Sequence, residues 1–226
     1  DEPTARHLVA AMRDRLVHRG PDDDGAWIDR EGGAALGFRR LSILDLSPAG
    51  HQPMLSACGR YAIVFNGEIY NFAELRDAIE AARGRPQSWR GHSDTEILLE
   101  AIAEWGVEAA LPRLNGMFAL GVWDRRERCL WLARDRIGKK PLHYAWAGES
   151  FLFASELKAL WAHPRFDPGI SQPALAGFLQ LGYGLGEQTI FGAARRLPGG
   201  HLLRLDAAAA ARRETPASRP YWSLRE

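Results

Sequence analysis

The chain has 226 residues and a mass of 25.1 kDa, enough for one large domain or two small ones with a buried core. Its 46% hydrophobic and 25% charged residues exclude a mostly disordered chain, and no apolar run is long enough to span a membrane. The net charge of +1 gives no support to nucleic-acid or membrane binding, and two cysteines are too few for a disulfide framework, which favours the cytoplasm.

Hydrophobic periodicity predicts helices and strands in blocks rather than in strict alternation. The expected helices cover 4–17, 71–82, 94–105, 155–162 and 172–181, and the expected strands cover 25–28, 34–38, 61–65, 117–123, 129–133, 143–146, 151–154 and 200–205. This order favours an α+β fold with antiparallel sheets. Residues 206–226 combine an alanine run with a charged, Pro- and Ser-bearing stretch, which is typical of a linker or the edge of another domain.

Asn66 and Gly67 follow an apolar strand directly. Asn-Gly is the strongest two-residue hairpin signal, so a turn is the commoner interpretation. A predicted helix follows instead of a second strand, however, and this places the Asn66 amide and a backbone N–H where both could face one oxyanion. The sequence leaves a hairpin turn and an oxyanion site both open.

Charged residues near the predicted element ends have similar alternatives. Arg39 and Arg40 end the strand 34–38, where a guanidinium suits a carboxylate ligand, although a surface ion pair is the commoner role. Ser93 and Glu96 form a capping-box pattern, and Asp94 between them either belongs to that cap or binds an ammonium group. The loop 18–22 has Gly-Pro-Asp turn chemistry and is expected to be structural.

Three other patterns are weaker. Residues 134–141 suggest a phosphate-binding loop but lack its spacing, so a structured turn is preferred. Histidine and cysteine positions show no metal-ligand spacing, and no metal site is expected. Cys58, seven residues after His51, has nothing nearby to activate its thiol, and Cys129 lies in an apolar strand and is expected in the core.

Taken together and in order, these motifs are specific. The segments 18–22, 40–45, 52–54, 65–71, 93–96, 114–119 and 133–142 resemble the glutaminase domain of glutamine-hydrolysing asparagine synthetases, the class II glutamine amidotransferases. The resemblance implies an N-terminal-nucleophile hydrolase fold, a four-layer αββα sandwich of two antiparallel sheets. We therefore expect residues 1–205 to form the amidotransferase domain and residues 206–226 to lead toward a C-terminal ATP-dependent synthetase domain.

The resemblance also assigns roles to residues. It implies that the Asn66 side chain and the Gly67 N–H form an oxyanion hole, and that Arg40 holds the α-carboxylate of L-glutamine. Asp94, with Glu68 nearby, corresponds to the group that binds the α-ammonium, and the backbone around Ile43 and Leu44 corresponds to the wall of the glutamine pocket.

The nucleophile of that family is an N-terminal cysteine whose own α-amine serves as the base. Neither Cys58 nor Cys129 occupies that position, so we expect the nucleophilic cysteine, with its strand, to precede Asp1. Two other hypotheses remain: a non-catalytic glutamine-binding or docking domain, and an independent hydrolase that uses Cys58.

The resemblance implies no cofactor in this domain, and ATP and Mg²⁺ in the synthetase domain, whose Ser-Gly-Gly-x-x-Ser-type loop is not found in these residues. The expected partners are L-glutamine and that domain of the same polypeptide. Asparagine synthesis is the main expectation, and amidation of another carboxylate such as a sugar acid is the alternative. The oligomeric state, including a homodimer, stays open.

Overall fold

The computed structural model describes residues 2–42 and 47–224. The helices are α1 (Glu2–Asp14), α2 (Phe72–Arg83), α3 (Asp94–Trp105), α4 (Val107–Ala110), α5 (Leu157–Trp161), α6 (Gln172–Leu181) and α7 (Ala207–Ala211). The strands are β1 (Asp23–Asp29), β2 (Ala34–Arg40), β3 (Met54–Leu55), β4 (Tyr61–Ile69), β5 (Gly116–Asp124), β6 (Cys129–Arg134), β7 (His143–Ala147), β8 (Ser150–Ala154), β9 (Ala194–Arg196), β10 (His201–Asp206) and β11 (Arg219–Pro220).

Two main antiparallel sheets organise the molecule. The larger has the strand order β11-β10-β6-β5-β4-β3, and the smaller has the order β8-β7-β9. Strands β1 and β2 form a separate antiparallel hairpin. The expected α+β class with antiparallel sheets is confirmed.

Side-chain alternation along the central strands creates two separate cores, because successive residues of a strand point to opposite faces. On β4, Tyr61, Ile63 and Phe65 pack against α2 and α3, whereas Ala62 and Val64 pack toward the smaller sheet. Strands β5, β6 and β10 repeat this pattern.

The smaller sheet is covered on its outer face by α1 and α5. Ala145 and Leu152 pack there with Leu160, Met12 and Leu16. The order of layers is therefore helices, large sheet, small sheet with the β1–β2 hairpin, and helices, which is the expected four-layer sandwich.

The turn predicted at residues 134–141 is confirmed. The Asp135 carboxylate accepts hydrogen bonds from the backbone N–H groups of Ile137 (3.2 Å), Lys139 (2.9 Å) and Lys140 (3.0 Å). These N–H groups are turned inward to a carboxylate, which leaves them unsuited to a phosphate.

Residues 206–224 pack onto the domain through several contacts. Asp206 accepts a hydrogen bond from the backbone N–H of Ala209 and begins α7, and β11 pairs with β10. The Tyr221 hydroxyl donates to the carbonyl of Arg134 over 2.8 Å. The division into an amidotransferase domain and a linker stays a prediction.

Candidate active site

A cavity of about 840 Å³ lies between the two main sheets. Its walls include β2, the second half of β4 and β8, and the start of α3 closes one end. Arg40, Asn66, Gly67, Glu68 and Asp94 all line it, so the structure brings together every described residue of the predicted site.

Asn66 lies within β4, paired in register with Ala119 of β5, and the hairpin-turn interpretation of Asn-Gly is wrong. Its side chain is on the same face as Ala62 and Val64, toward the cavity. The Asn66 Nδ2 atom is buried and has no hydrogen-bond partner among the described residues. Because an unsatisfied buried donor costs about 1–3 kcal/mol, such a group is typical of a site that binds an acceptor.

The backbone N–H of Gly67 points to the free edge of β4. Phe118, its register partner on β5, gives both backbone groups to Asp135: its N–H donates to Asp135 Oδ2 (3.1 Å), and its carbonyl accepts from the Asp135 N–H (2.8 Å). Along an antiparallel strand, successive residues direct their backbone N–H and C=O groups to opposite neighbouring strands. Because both backbone groups of Phe118 bond Asp135, Gly67 forms no backbone pair with Phe118, and its N–H points away from β5. Glycine is required here, because a Cβ would collide with the carbonyl of Met117.

Arg39 and Arg40 point to opposite faces of β2. Arg39 forms ion pairs with Asp14 (2.8 Å) and Asp24 (3.7 Å) beside α1. Arg40 is buried and donates from Nη1 to the carbonyl of Ser47 (3.1 Å). The interpretation of Arg40 as a surface ion pair is therefore wrong, and that role belongs to Arg39.

Asp94 is buried at the first turn of α3 and accepts a hydrogen bond from the backbone N–H of Ile69 over 2.8 Å. Burial raises the pKa of Asp94, and the charge of Glu68 raises it further, although backbone hydrogen bonds from Ile69 and Thr95 oppose both effects. A cation placed beside these two carboxylates would stabilise their charged forms.

The predicted cap of α3 is present, and Glu96 does more than the sequence indicates. The Ser93 Oγ atom accepts from the Thr95 N–H (3.2 Å). The Glu96 carboxylate accepts from the backbone N–H groups of Arg90 (3.0 Å) and Gly91 (3.1 Å), which folds the loop that presents Asp94.

The other candidates from the sequence are Ile43, Leu44, Cys58 and Cys129. Ile43 and Leu44 lie outside the described residues. Cys58 sits at an exposed turn beside Ser56 (3.3 Å), His51 binds Asp23 (2.8 Å), and Cys129 is confirmed in the core on the helix side of the large sheet.

Gln52 is a buried polar residue to which the sequence motifs assign no role of its own. It lines the cavity, and its side-chain amide bonds both backbone groups of Phe65, next to Asn66. The only signal in the sequence is a glutamine before Pro53, because the contact depends on strand register.

The site combines two directed N–H donors with a guanidinium and two carboxylates, which suits a zwitterionic substrate whose reaction develops an oxyanion. Across residues 2–42 and 47–224, no group of three or more His, Cys, Asp or Glu side chains is placed to hold a metal ion. No helix in those same ranges is long and apolar enough to cross a membrane.

Known proteins resemble this chain at the level of sequence and of fold. A family model described as a glutamine amidotransferase domain matches residues 1–222. The glutamine-hydrolyzing asparagine synthetase 3 of Bacillus subtilis is 39% identical over 181 residues, covering 78% of this chain and 28% of that protein. The glutamine-hydrolyzing asparagine synthetase 1 of the same species is 44% identical over 153 residues, covering 68% and 23%.

Among solved structures, the glutamine phosphoribosylpyrophosphate amidotransferase of Bacillus subtilis has a TM-score of 0.55 at 20% identity, over 84% of this chain and 35% of that one. This likeness concerns the fold alone. The chain spans less than a third of the length of the two synthetases it matches.

Proposed function

This chain belongs to the glutamine amidotransferase domain family, and on that premise we propose that it hydrolyses L-glutamine to L-glutamate and ammonia. The observation that carries the proposal is the unpartnered, buried Asn66 Nδ2 atom beside the outward-facing Gly67 N–H. Two such donors on one strand are suited to the oxyanion of a tetrahedral intermediate.

In the proposed complex, charge complementarity orients the substrate. The Arg40 guanidinium binds the α-carboxylate of glutamine, and Asp94 with Glu68 binds the α-ammonium. The side-chain amide then extends toward Asn66 and Gly67. Because both ends of the amino acid are matched, a simple amide without α-groups would bind much more weakly.

We propose that the nucleophile is an N-terminal cysteine on a strand that precedes Asp1. The strands around the cavity support this. Both β2 and β8 line the cavity, and each pairs with another described strand along one edge only, β2 with β1 and β8 with β7. Unpaired strand edges are ready templates for a further strand. Asn66 lines the same cavity, so a strand added there would lie in the cavity that holds the Asn66 amide.

The proposed chemistry balances as an amide hydrolysis. The α-amine of the cysteine takes the thiol proton, and the thiolate forms a bond to the glutamine Cδ atom. The oxyanion collapses, the C–N bond breaks, and the leaving nitrogen takes the proton to depart as ammonia. Water then attacks the thioester, which releases glutamate and restores the thiol.

We propose further that the ammonia is used by an ATP-dependent synthetase portion of the same polypeptide, with aspartate as the acceptor. The support is that the two relatives are glutamine-hydrolyzing asparagine synthetases, of which this chain covers 23–28%. ATP and Mg²⁺ belong to that portion in this proposal, and the protein acts in the cytoplasm.

The test measures ammonia and glutamate release from L-glutamine by the full-length polypeptide that contains this chain. We expect Asn66→Ala to lower kcat by about a hundredfold or more, as for other losses of an oxyanion donor, with little change in KM. Asn71→Ala is the matched control, because the Asn71 side chain bonds the Arg113 carbonyl and the Asn115 N–H and is not part of the cavity lining. A fall confined to KM would make Asn66 a substrate-binding residue, and no hydrolysis by the wild type would favour a docking domain.

A further inference from the structure

We propose that Gln52 is a positioning residue of the oxyanion site, an inference that rests on the proposed function. Gln52 does not reach the reacting atoms in this proposal. It acts through β4, by fixing the backbone at Phe65 and by keeping the Gly67 N–H available.

The register of β3 against β4 determines which residue lies opposite Phe65. Strand β3 pairs with β4 through Met54–Ile63 and Leu55–Ala62. Continuing this register places residue 52 opposite Phe65. At that place a side chain replaces the backbone: Gln52 Oε1 accepts from the Phe65 N–H over 2.7 Å, and Gln52 Nε2 donates to the Phe65 carbonyl over 3.3 Å.

Because the Gln52 side chain takes the place of a backbone partner at Phe65, the pairing of Gly67, two residues further along β4, also changes. If β3 continued as a regular strand, residue 50 would lie opposite Gly67, and its carbonyl would accept the Gly67 N–H. Because the Gln52 amide satisfies Phe65 by itself, the main chain is free to leave the edge before that point. Among the described residues, the Gly67 N–H proposed for the oxyanion is thereby left without a strand partner.

The Gly67 N–H lies between two fixed neighbours on this edge. Phe65 is held by Gln52, and the Ile69 N–H is held by Asp94. Odd-numbered residues of β4 share this direction, so both anchors constrain the same line of backbone groups. Asn66 is attached between Phe65 and Gly67, so its side-chain direction depends on the same anchors.

Gln52 is itself held firmly. It is 6% exposed, and a Cβ at Gly25 of β1 would collide with the Gln52 carbonyl. The hairpin β1–β2, which carries Arg40, therefore packs directly against the residue that fixes β4.

The test compares glutamine hydrolysis by wild-type full-length polypeptide with that by Gln52→Met, which keeps the side-chain volume and removes both hydrogen bonds. We expect kcat to fall by about tenfold to a hundredfold, because small displacements of catalytic donors cost that much. KM should change by less than about threefold, since Arg40 and Asp94 still hold the substrate. A wild-type kcat in a folded Gln52→Met protein overturns the proposal.

Ser56→Ala is the matched control. Ser56 is also buried and bonds β4 by its side chain, since its Oγ atom accepts from the Tyr61 N–H over 3.1 Å. This contact lies away from Gly67, so its loss should lower the thermal midpoint and leave kcat and KM unchanged. An equal fall of kcat in Ser56→Ala would show that Gln52 has a merely structural role.

Gln52→Asn covers the case in which Gln52→Met does not fold. It keeps the amide but is one methylene shorter, so it cannot meet both Phe65 groups, and we expect the same fall in kcat. Unchanged kcat in this variant overturns the proposal. Hydrolysis by the wild type shows in the same experiment that the proposed function holds, so the two failures are distinguishable.

Discussion

Two neighbouring arginines on β2 differ in environment because a strand alternates its faces. Both arginines border the cavity, but Arg39 is paired with Asp14 and Asp24 beside α1, whereas Arg40 is buried and donates to the Ser47 carbonyl. The pair therefore offers a comparison in which similar side chains have separate roles.

We expect Arg40→Ala to raise KM for glutamine strongly while kcat changes less. An α-carboxylate without its partner costs on the order of 2–4 kcal/mol, or roughly 30- to 1,000-fold in affinity. Steady-state hydrolysis measured over a wide range of glutamine concentrations checks this.

Arg39→Ala is the control for that measurement. It removes the ion pairs with Asp14 and Asp24. Arg39 also borders the cavity, but those carboxylates hold its guanidinium, so KM should rise far less than in Arg40→Ala. Near-normal glutamine affinity in Arg40→Ala would contradict the assignment of Arg40.

Much of the site could be predicted at this scale, because Arg40, Asn66, Gly67 and Asp94 occur in a recognisable order. The sequence could not show in which direction the Gly67 N–H points. The Gly67 N–H points away from β5 because Phe118 bonds Asp135 with both of its backbone groups, and Gly67, Phe118 and Asp135 are far apart in sequence. The contribution of Gln52 depends on register in the same way.

Among the elements, the second half of β4 departs most from expectation. The apolar pattern predicts a strand ending at residue 65, and β4 continues to Ile69. Polar residues at 66 and 68 face the cavity rather than a core, so they break the hydrophobic alternation while the backbone still pairs with β5 through Gly116. The two-residue strands β3 and β11 are too short for any periodicity to predict.

A cluster of charged side chains around Glu156 joins the loop after α1 to the start of α5. Glu156 contacts His18 (3.0 Å), Arg19 (3.0 Å) and Lys158 (3.2 Å). Burial alone would raise the pKa of Glu156, but the hydrogen bonds from these three residues outweigh it and lower the pKa to about 2. The charged carboxylate therefore stabilises the folded state above its ordinary pKa, and this contribution is lost as the pH falls toward 2.

We expect Glu156→Gln to lower the free energy of unfolding at pH 7 by about 1–2 kcal/mol, after allowance for solvent screening. The difference from the wild type should shrink as the pH falls below about 4.5, because the unfolded carboxylate is then protonated. Urea unfolding at a series of pH values checks this.

Glu149→Gln provides the comparison for this cluster. Glu149 forms an exposed pair with Arg213, whose loss should cost no more than about 0.5 kcal/mol. A pH-independent difference for Glu156→Gln would contradict the account of the cluster.

At the scale of the whole molecule, the two sheets enclose a cavity with two strand edges in its wall. Composition and block order are sufficient to predict the α+β layers, because the strands carry clear alternation. They are insufficient to predict that the β1–β2 hairpin and the β8-β7-β9 sheet stand as separate units on either side of that cavity. In the proposed account, one further strand with an N-terminal cysteine lies between them.

The most direct test of glutamine hydrolysis by an N-terminal nucleophile compares ammonia release by two proteins. One is this 226-residue chain, and the other is the same chain extended through the residues encoded before Asp1. If the nucleophile precedes Asp1, only the extended protein hydrolyses glutamine, and changing its first cysteine to alanine abolishes that hydrolysis. Hydrolysis by both proteins, abolished by Cys58→Ala, would contradict the account and make Cys58 the nucleophile.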